Sequence, residues 1–166
     1  EIGRGGMAVV LEAFDRVRDE LVALKLINAD LRSDTAVEQR FMEEAKLTSS
    51  LNHPGIIKVH DIEHSEYGLL ISMERLEGGT LRQMIRERKQ QGRPFELLEV
   101  RGWVEQIAEA LSYAHYYTIH RDLKPENVWI ESTGNVKLMD FGLAKPQSPL
   151  TSMLTQTGAS MGTPYY

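Results

Sequence analysis

The hydrophobic pattern of this chain changes character near residue 78. Before it, apolar residues come in short strand-like runs; after it, they recur at helical spacing. Residues 9–14 and 21–27 are apolar-rich and flank the charged run Asp15-Arg16-Val17-Arg18-Asp19-Glu20, which predicts a hairpin. Symmetric pairing places Val10 opposite Lys25. Period-two alternation puts Ala23, Lys25 and Ile27 on one face of the second strand and Val22, Leu24 and Leu26 on the other. Ser33-Asp34 can cap a helix over residues 35–51, with Val37, Phe41, Ala45 and Thr48 on one face and Glu44 beside it. Asn52-His53-Pro54-Gly55 ends that helix, and a strand pair at 56–63 and 69–73 follows. Gly78-Gly79 reads as a boundary between two lobes.

Thr80 caps a short helix to about residue 89. Val100, Trp103, Val104, Ile107, Ala108, Leu111, Ala114 and His115 then keep i, i+3/i+4 spacing, which predicts a long, well-buried helix. Residues 128–131 and 136–139 form a last hairpin around Ser132-Thr133-Gly134-Asn135. Beyond Gly142 the chain is rich in Ser, Thr, Pro and Gly and reads as a loop. There is no internal repeat.

Composition narrows the function classes. The 166 residues suffice for one sizeable core or two small ones, and 42% hydrophobic with 26% charged residues is ordinary for a globular chain. A net charge of −5 without a Lys/Arg block gives no reason to expect nucleic acid. The absence of cysteine excludes disulfide and thiolate-metal chemistry and fits a reducing, cytoplasmic setting. No apolar run reaches the length of a membrane span, and nothing resembles a signal peptide. The sequence opens at Glu1 against a glycine cluster and closes at Tyr166. We therefore expect a piece of a longer protein, which other segments could tether to a membrane.

The candidate chemistry gathers at residues 119–142. Pairing the last hairpin symmetrically about Thr133 and Gly134 puts Asn127 across from Asp140, with Cβ atoms about 5 Å apart. An amide oxygen and a carboxylate then converge beside Asp122 and Lys124, and such a ligand set suits Mg²⁺ rather than zinc or copper. Lys25, in the middle of an apolar strand, either has an anionic partner or lies on an edge and reaches water. Gly3-Arg4-Gly5-Gly6-Met7-Ala8 could bring backbone N–H donors close to phosphates. It lacks the Gly-Lys-Ser/Thr of a P-loop, and a strand rather than a helix follows, which argues against P-loop and Rossmann readings.

Five motifs occur in order at fitting spacings. They are Gly-x-Gly-x-x-Ala-x-Val from Gly3 to Val10, Ala23-Leu24-Lys25, a helix carrying Glu44, the run from His120 to Asn127, and Asp140-Phe141-Gly142. Together they resemble the eukaryotic-type Ser/Thr protein kinases over essentially the whole chain. Lys-Pro-Glu-Asn and Gly162-Thr163-Pro164-Tyr165-Tyr166 look like Ser/Thr rather than Tyr kinases, and Gly-Gly-Met-Ala looks like the bacterial branch. The resemblance implies an α+β, two-lobed fold: a small antiparallel-sheet lobe over residues 1–77 and a partial, mostly helical lobe over 78–166.

It also implies ATP and Mg²⁺ as cofactors and transfer of the γ-phosphate to Ser/Thr hydroxyls of protein substrates. In that reading Gly3, Gly5 and Gly6 cover the phosphates, Lys25 holds them, and Glu44 pairs Lys25. Asp140 and Asn127 hold Mg²⁺, Asp122 accepts the proton of the incoming hydroxyl, and Lys124 steadies the γ-phosphate. Adenine lies between Ile2, Val10 and Ala23 above and Trp129 below. Backbone groups of Glu74 and Leu76, past Met73 as gatekeeper, read its edge. Arg121 before the catalytic Asp implies activation by loop phosphorylation at Thr155 or Thr157, with Ser152 and Ser160 behind them. Self-association would then serve trans-autophosphorylation, and Thr163 would hydrogen-bond Asp122 and Lys124.

Two departures stand out: Ala8 in place of a third glycine, and Trp129, bulkier than the aliphatic residue usual at the pocket floor. The chain also stops before several helices that complete the large lobe, so this piece alone is expected to be inactive. Part of its long helix should then remain exposed. A nucleotide-binding scaffold without transferase activity and a small-molecule kinase are the competing readings. Intact Lys25, Asp122, Asn127 and Asp140 argue against the first, and Gly-Thr-Pro-Tyr-Tyr argues against the second.

Overall fold

Five antiparallel strands carry the first half of the chain, in a computed structural model that describes residues 1–32 and 34–141. They are β1 (Gly3–Arg4), β2 (Ala8–Asp15), β3 (Glu20–Ile27), β4 (Val59–Ser65) and β5 (Gly68–Glu74), in the order β1-β2-β3-β5-β4. The β2–β3 register is the symmetric one, with Val10 opposite Lys25. Its turn is closed by Asp15, whose carboxylate accepts from the N–H groups of Val17 and Arg18. β3 is interior, paired on both sides, so Lys25 is not an edge-strand lysine.

Helix α1 (Thr35–Ser50) packs on one face of this sheet. Asp34 caps it by accepting from the N–H groups of Ala36 and Val37, while Ser33 lies outside the described residues. The α1 face carrying Phe41, Ala45 and Thr48 is buried. Phe41 and Ala45 join Ala8, Ile27, Leu69 and Ile71 in a single core.

A second core collects α2 (Leu81–Gln90), α3 (Leu97–Ala114) and a small sheet of β6 (Gly79–Thr80), β7 (Val128–Ile130) and β8 (Val136–Leu138). Thr80 caps α2 in a reciprocal capping box with Gln83. Trp103, Ala110 and Ala114 of α3 are buried against Val128, Ile130 and Leu138. The sequence stripe on α3 was too broad: Val104 is 57% exposed and Ala108 is exposed too, on a side that the described residues leave open.

Two expectations about strands need correction. Ile56 does not begin β4. Leu138 donates its N–H to the Gly55 carbonyl, and the N–H of Ile57 donates to Leu138, so residues 55–57 run beside β8. Ile56 is thereby buried in the second core, and the reading failed because an apolar pair preceding a strand looks like the strand itself.

The last hairpin also has a different register. Gly134 takes φ +87°, its N–H meets the Glu131 carbonyl, and the N–H of Glu131 meets the Asn135 carbonyl. That is a three-residue turn ending in a left-handed glycine. It shifts the pairing by one residue, so Asn127 faces Met139 and not Asp140.

The glycines at the sequence boundary serve close packing rather than looseness. Gly78 has φ +106°, and a Cβ there would collide with the Ile130 carbonyl oxygen. Gly79 pairs with Ile130 in the ladder. Gly78→Ala is therefore expected to destabilise the fold by about 3 kcal/mol through combined strain and overlap. The urea midpoint measures this; an unchanged midpoint contradicts it.

Candidate active site

The two cores face each other across a cleft made of two adjoining cavities. The first, of about 530 Å³, is lined by Ile2, Gly3, Val10, Ala23, Met73, Glu74, Leu76 and Trp129. The second, of about 600 Å³, is lined by Gly5, Gly6, Asp122, Lys124 and Asn127. Lys25, Glu44 and Asp140 line both. Every described residue that the sequence singled out for the site thus lies on its walls. Thr155 and Thr157, like Ser152, Ser160, Gly142 and residues 162–166, lie outside the described residues.

Lys25 is the junction of the two halves. Its ammonium stands 3.1 Å from Glu44 Oε1 on α1 and 2.6 Å from Asp140 Oδ1 just past β8. Its side chain is 17% exposed and that of Glu44 14%, whereas Asp140 is 47% exposed because it opens onto the cleft. Burial alone would lower the pKa of Lys25; the charges of Asp140 and Glu44 outweigh it and hold the amine well above its usual range. Burial pushes Glu44 up, since Lys25 is the farther cation and Asp140 a neighbouring anion. For Asp140 the close Lys25 overcomes burial and holds the carboxyl below its usual value. Of the two carboxyls, Asp140 is therefore the more firmly ionised.

The backbone places Asp122 through a strained turn. Arg121 sits at φ +61° between the His120 carbonyl and the Asp122 N–H that bonds it at 2.8 Å, and Asp140 itself sits at φ +49°. His120 is buried and lies 4.6 Å from the Phe141 ring, with its Nε2 3.1 Å from the Met139 carbonyl. A carbonyl only accepts, so the Nε2 proton points to it; burial keeps the ring neutral by lowering its pKa. Lys124 Nζ donates to Asp122 Oδ2 at 2.5 Å. Asn127 Nδ2 donates to the Asp122 carbonyl at 2.9 Å and to Oδ2 at 3.1 Å. The amide nitrogen is committed to Asp122, so Oδ1 is the atom of Asn127 that could serve a cation on that side.

The floor residue Trp129 lines the first cavity and donates its indole N–H to the Glu77 carbonyl at 2.9 Å. Opposite it across the hairpin, Lys137 grips the Glu74 carboxylate at 2.7 and 2.9 Å. The segment 74–77 is thus tied to β7 and β8 at both ends.

Sequence reasoning missed Ile57 and Met139, which extend the apolar wall beside Ala23 and Met73. It also missed Asn28, whose amide Nδ2 donates to the carbonyls of Gly5 and Gly6, each at 3.0 Å. Position was the available signal for Met139, directly before Asp140. For Asn28 the pattern offered none, because its partners are backbone carbonyls. Among the described residues no helix is long and apolar enough to cross a membrane.

The arrangement of one cation between two carboxylates, a second carboxylate–lysine pair and a glycine turn over the same cavity can hold a polyanion and a divalent cation. Comparison with known proteins points the same way. The profile of the protein kinase domain family matches residues 1–166. The chain is 38% identical to the serine/threonine-protein kinase PrkC of Bacillus subtilis, over 99% of this chain and 25% of the relative. It is 39% identical to the probable serine/threonine-protein kinase PknB of Lactococcus lactis, over 100% of this chain and 26% of the relative. It is 39% identical to the serine/threonine-protein kinase PknA of Mycobacterium tuberculosis, over 99% of this chain and 38% of the relative. The chain spans 25% to 38% of the length of these curated relatives.

Proposed function

The chain belongs to the protein kinase domain family, and from that membership we propose that its protein transfers the γ-phosphate of ATP to Ser or Thr hydroxyls of other proteins. The observation that carries the proposal is Lys25 bound to both Glu44 and Asp140, with Asp122, Lys124 and Asn127 on the same cavity. Residues 1–77 and 78–166 are the two lobes in this reading.

The residues divide the work as phosphoryl transfer requires. The first cavity takes the adenine between Ile2, Val10 and Ala23 and the Trp129 floor, against the backbone of Glu74 and Leu76. Lys25 binds the α- and β-phosphates, and Glu44 aims it. The hydroxyl oxygen of the acceptor forms a bond to the γ-phosphorus as the bond to the ADP oxygen breaks, and the hydroxyl proton passes to an Asp122 carboxylate oxygen. Lys124, already against Asp122, offsets charge on the γ-phosphoryl oxygens. Asp140 and Asn127 Oδ1 present hard oxygen donors on one cavity, a set that fits Mg²⁺ and would hold it there. Bound there, the cation would neutralise phosphate charge.

Protein partners follow from the acceptor chemistry, and the net charge of −5 supports no role with nucleic acid. Self-association that phosphorylates Thr155 or Thr157 in trans and a cytoplasmic setting complete the reading. Labelled phosphate from γ-labelled ATP should appear on Ser and Thr of a generic basic protein or of the protein itself. Asp122→Asn is expected to lower kcat roughly 10²-fold with little change in the KM for ATP. Label that stays on ATP with the wild-type full-length protein would refute the proposal.

A further inference from the structure

Asn28 lies directly after β3, outside both cavities, and no part of the proposed chemistry uses it. It nevertheless holds three successive carbonyls of the glycine turn. Its side-chain Nδ2 donates to the Gly5 and Gly6 carbonyls at 3.0 Å each, and its backbone N–H donates to the Met7 carbonyl at 2.9 Å. The Gly5 N–H is occupied across the turn with the Ala8 carbonyl at 2.8 Å. In a planar trans peptide the C=O and the following N–H point in opposite directions. Drawing the Gly5 and Gly6 carbonyls toward Asn28 therefore turns the N–H groups of Gly6 and Met7 away from it. Gly5, Gly6, Met7 and Ala8 line the cavity that also holds Lys25 and Asp140, and Asn28 does not. Successive N–H groups turned to one side form an anion-binding concavity.

We infer that Asn28 is a positioning residue for phosphate recognition: its carboxamide fixes the turn so that the Gly6 and Met7 N–H groups face the phosphates of the bound nucleotide. The inference rests on the nucleotide-binding reading of the cleft and adds to it a residue that never touches the ligand. Asn is required because the position needs two N–H donors on one short arm. Asp is the same size but offers only acceptors, which would face the two carbonyls and repel them. Glycine loops lose conformational freedom when ordered, so an unpinned turn meets that cost on each binding event.

The test separates phosphate from base. With the full-length protein, calorimetric titrations of ATP, ADP and adenosine are compared for wild type, Asn28→Asp, Asn28→Ala and Asn28→Ser. In Asn28→Asp and Asn28→Ala the Kd values of ATP and ADP are expected to rise about tenfold. Adenosine Kd should stay within about twofold, because the base lies in the other cavity. Asn28→Ser keeps one donor and should fall between, which also covers a case in which one variant does not fold. Equal weakening of ATP and adenosine, or unchanged ATP affinity in a folded Asn28→Asp, overturns the assignment. A wild type that binds neither adenosine nor ATP overturns the nucleotide reading itself, so the two failures are told apart.

Discussion

Asn in place of Asp140 is expected to lower γ-phosphate transfer roughly 10³-fold or more while leaving the fold standing. The substitution is isosteric and removes one negative charge from the cavity proposed to accept a divalent cation. Asp140 is the suitable member for that task. Its contact with Lys25 holds its pKa below the ordinary carboxylate value, so the group is charged throughout the neutral range. Lys25 keeps a carboxylate partner in the variant, because Glu44 already stands 3.1 Å from it. Glu44 also loses the neighbouring anion that helps to raise its pKa, so the remaining pair strengthens. Thermal unfolding should therefore stay close to wild type, and the Mg²⁺ concentration needed for half-maximal residual activity should rise. Native-level transfer by Asp140→Asn would remove Asp140 from the mechanism.

The sequence made some of this legible and hid the rest for definable reasons. The Val10–Lys25 register followed from symmetry about a charged turn of even length, and the ladder keeps that symmetry. The same reasoning misplaced Asn127 against Asp140, because a left-handed Gly134 serves a two-residue turn as well as a three-residue one; Thr133, which does not take positive φ here, decides between them, and the composition of Ser-Thr-Gly-Asn allows either. The two residues still reach one cavity. Asp140 leaves the strand at φ +49°, which redirects its side chain in a way no alternation pattern records. Lys25 had two readings; an interior strand with carboxylates from α1 and from beyond β8 excludes the edge one.

The bulk of Trp129 is plain in the sequence, but that its indole ties down the Glu77 carbonyl depends on where a distant segment passes. Asn28 shows the limit most clearly. Side-chain periodicity reports which residues share a face, whereas Asn28 acts on backbone carbonyls more than 20 positions earlier.

Lys25→Met should abolish transfer, by roughly 10³-fold or more, and unlike Asp140→Asn it should also destabilise the domain by about 3 kcal/mol. The difference lies in what each substitution leaves behind. Without the ammonium, Glu44 (14% exposed) and Asp140 face each other with no cation between them. Removing one partner of a buried ion pair leaves an uncompensated charge, which costs more than the pair itself contributes. The variant has a partial escape, because Glu44 can take up a proton. Its pKa is already above the ordinary 4.5 in the intact site through burial, and losing Lys25 removes the largest influence that lowers it.

The sign follows from linkage. A carboxyl whose folded pKa exceeds its unfolded value binds more protons when folded. Stability then falls as pH rises from about 4.5 through the folded pKa. The stability gap between wild type and Lys25→Met should therefore be widest near pH 8 and should narrow toward pH 5, as urea titrations at the two pH values can measure. Adding Glu44→Leu to Lys25→Met should recover much of the stability at pH 8, since apolar groups of similar size replace the broken pair. It should recover none of the activity, since the cation proposed to hold the α- and β-phosphates is still missing. An equal gap at both pH values would mean that the buried carboxylates are not what the lysine holds in place. Recovered transfer in the double variant would mean that Lys25 serves the fold and not the phosphates.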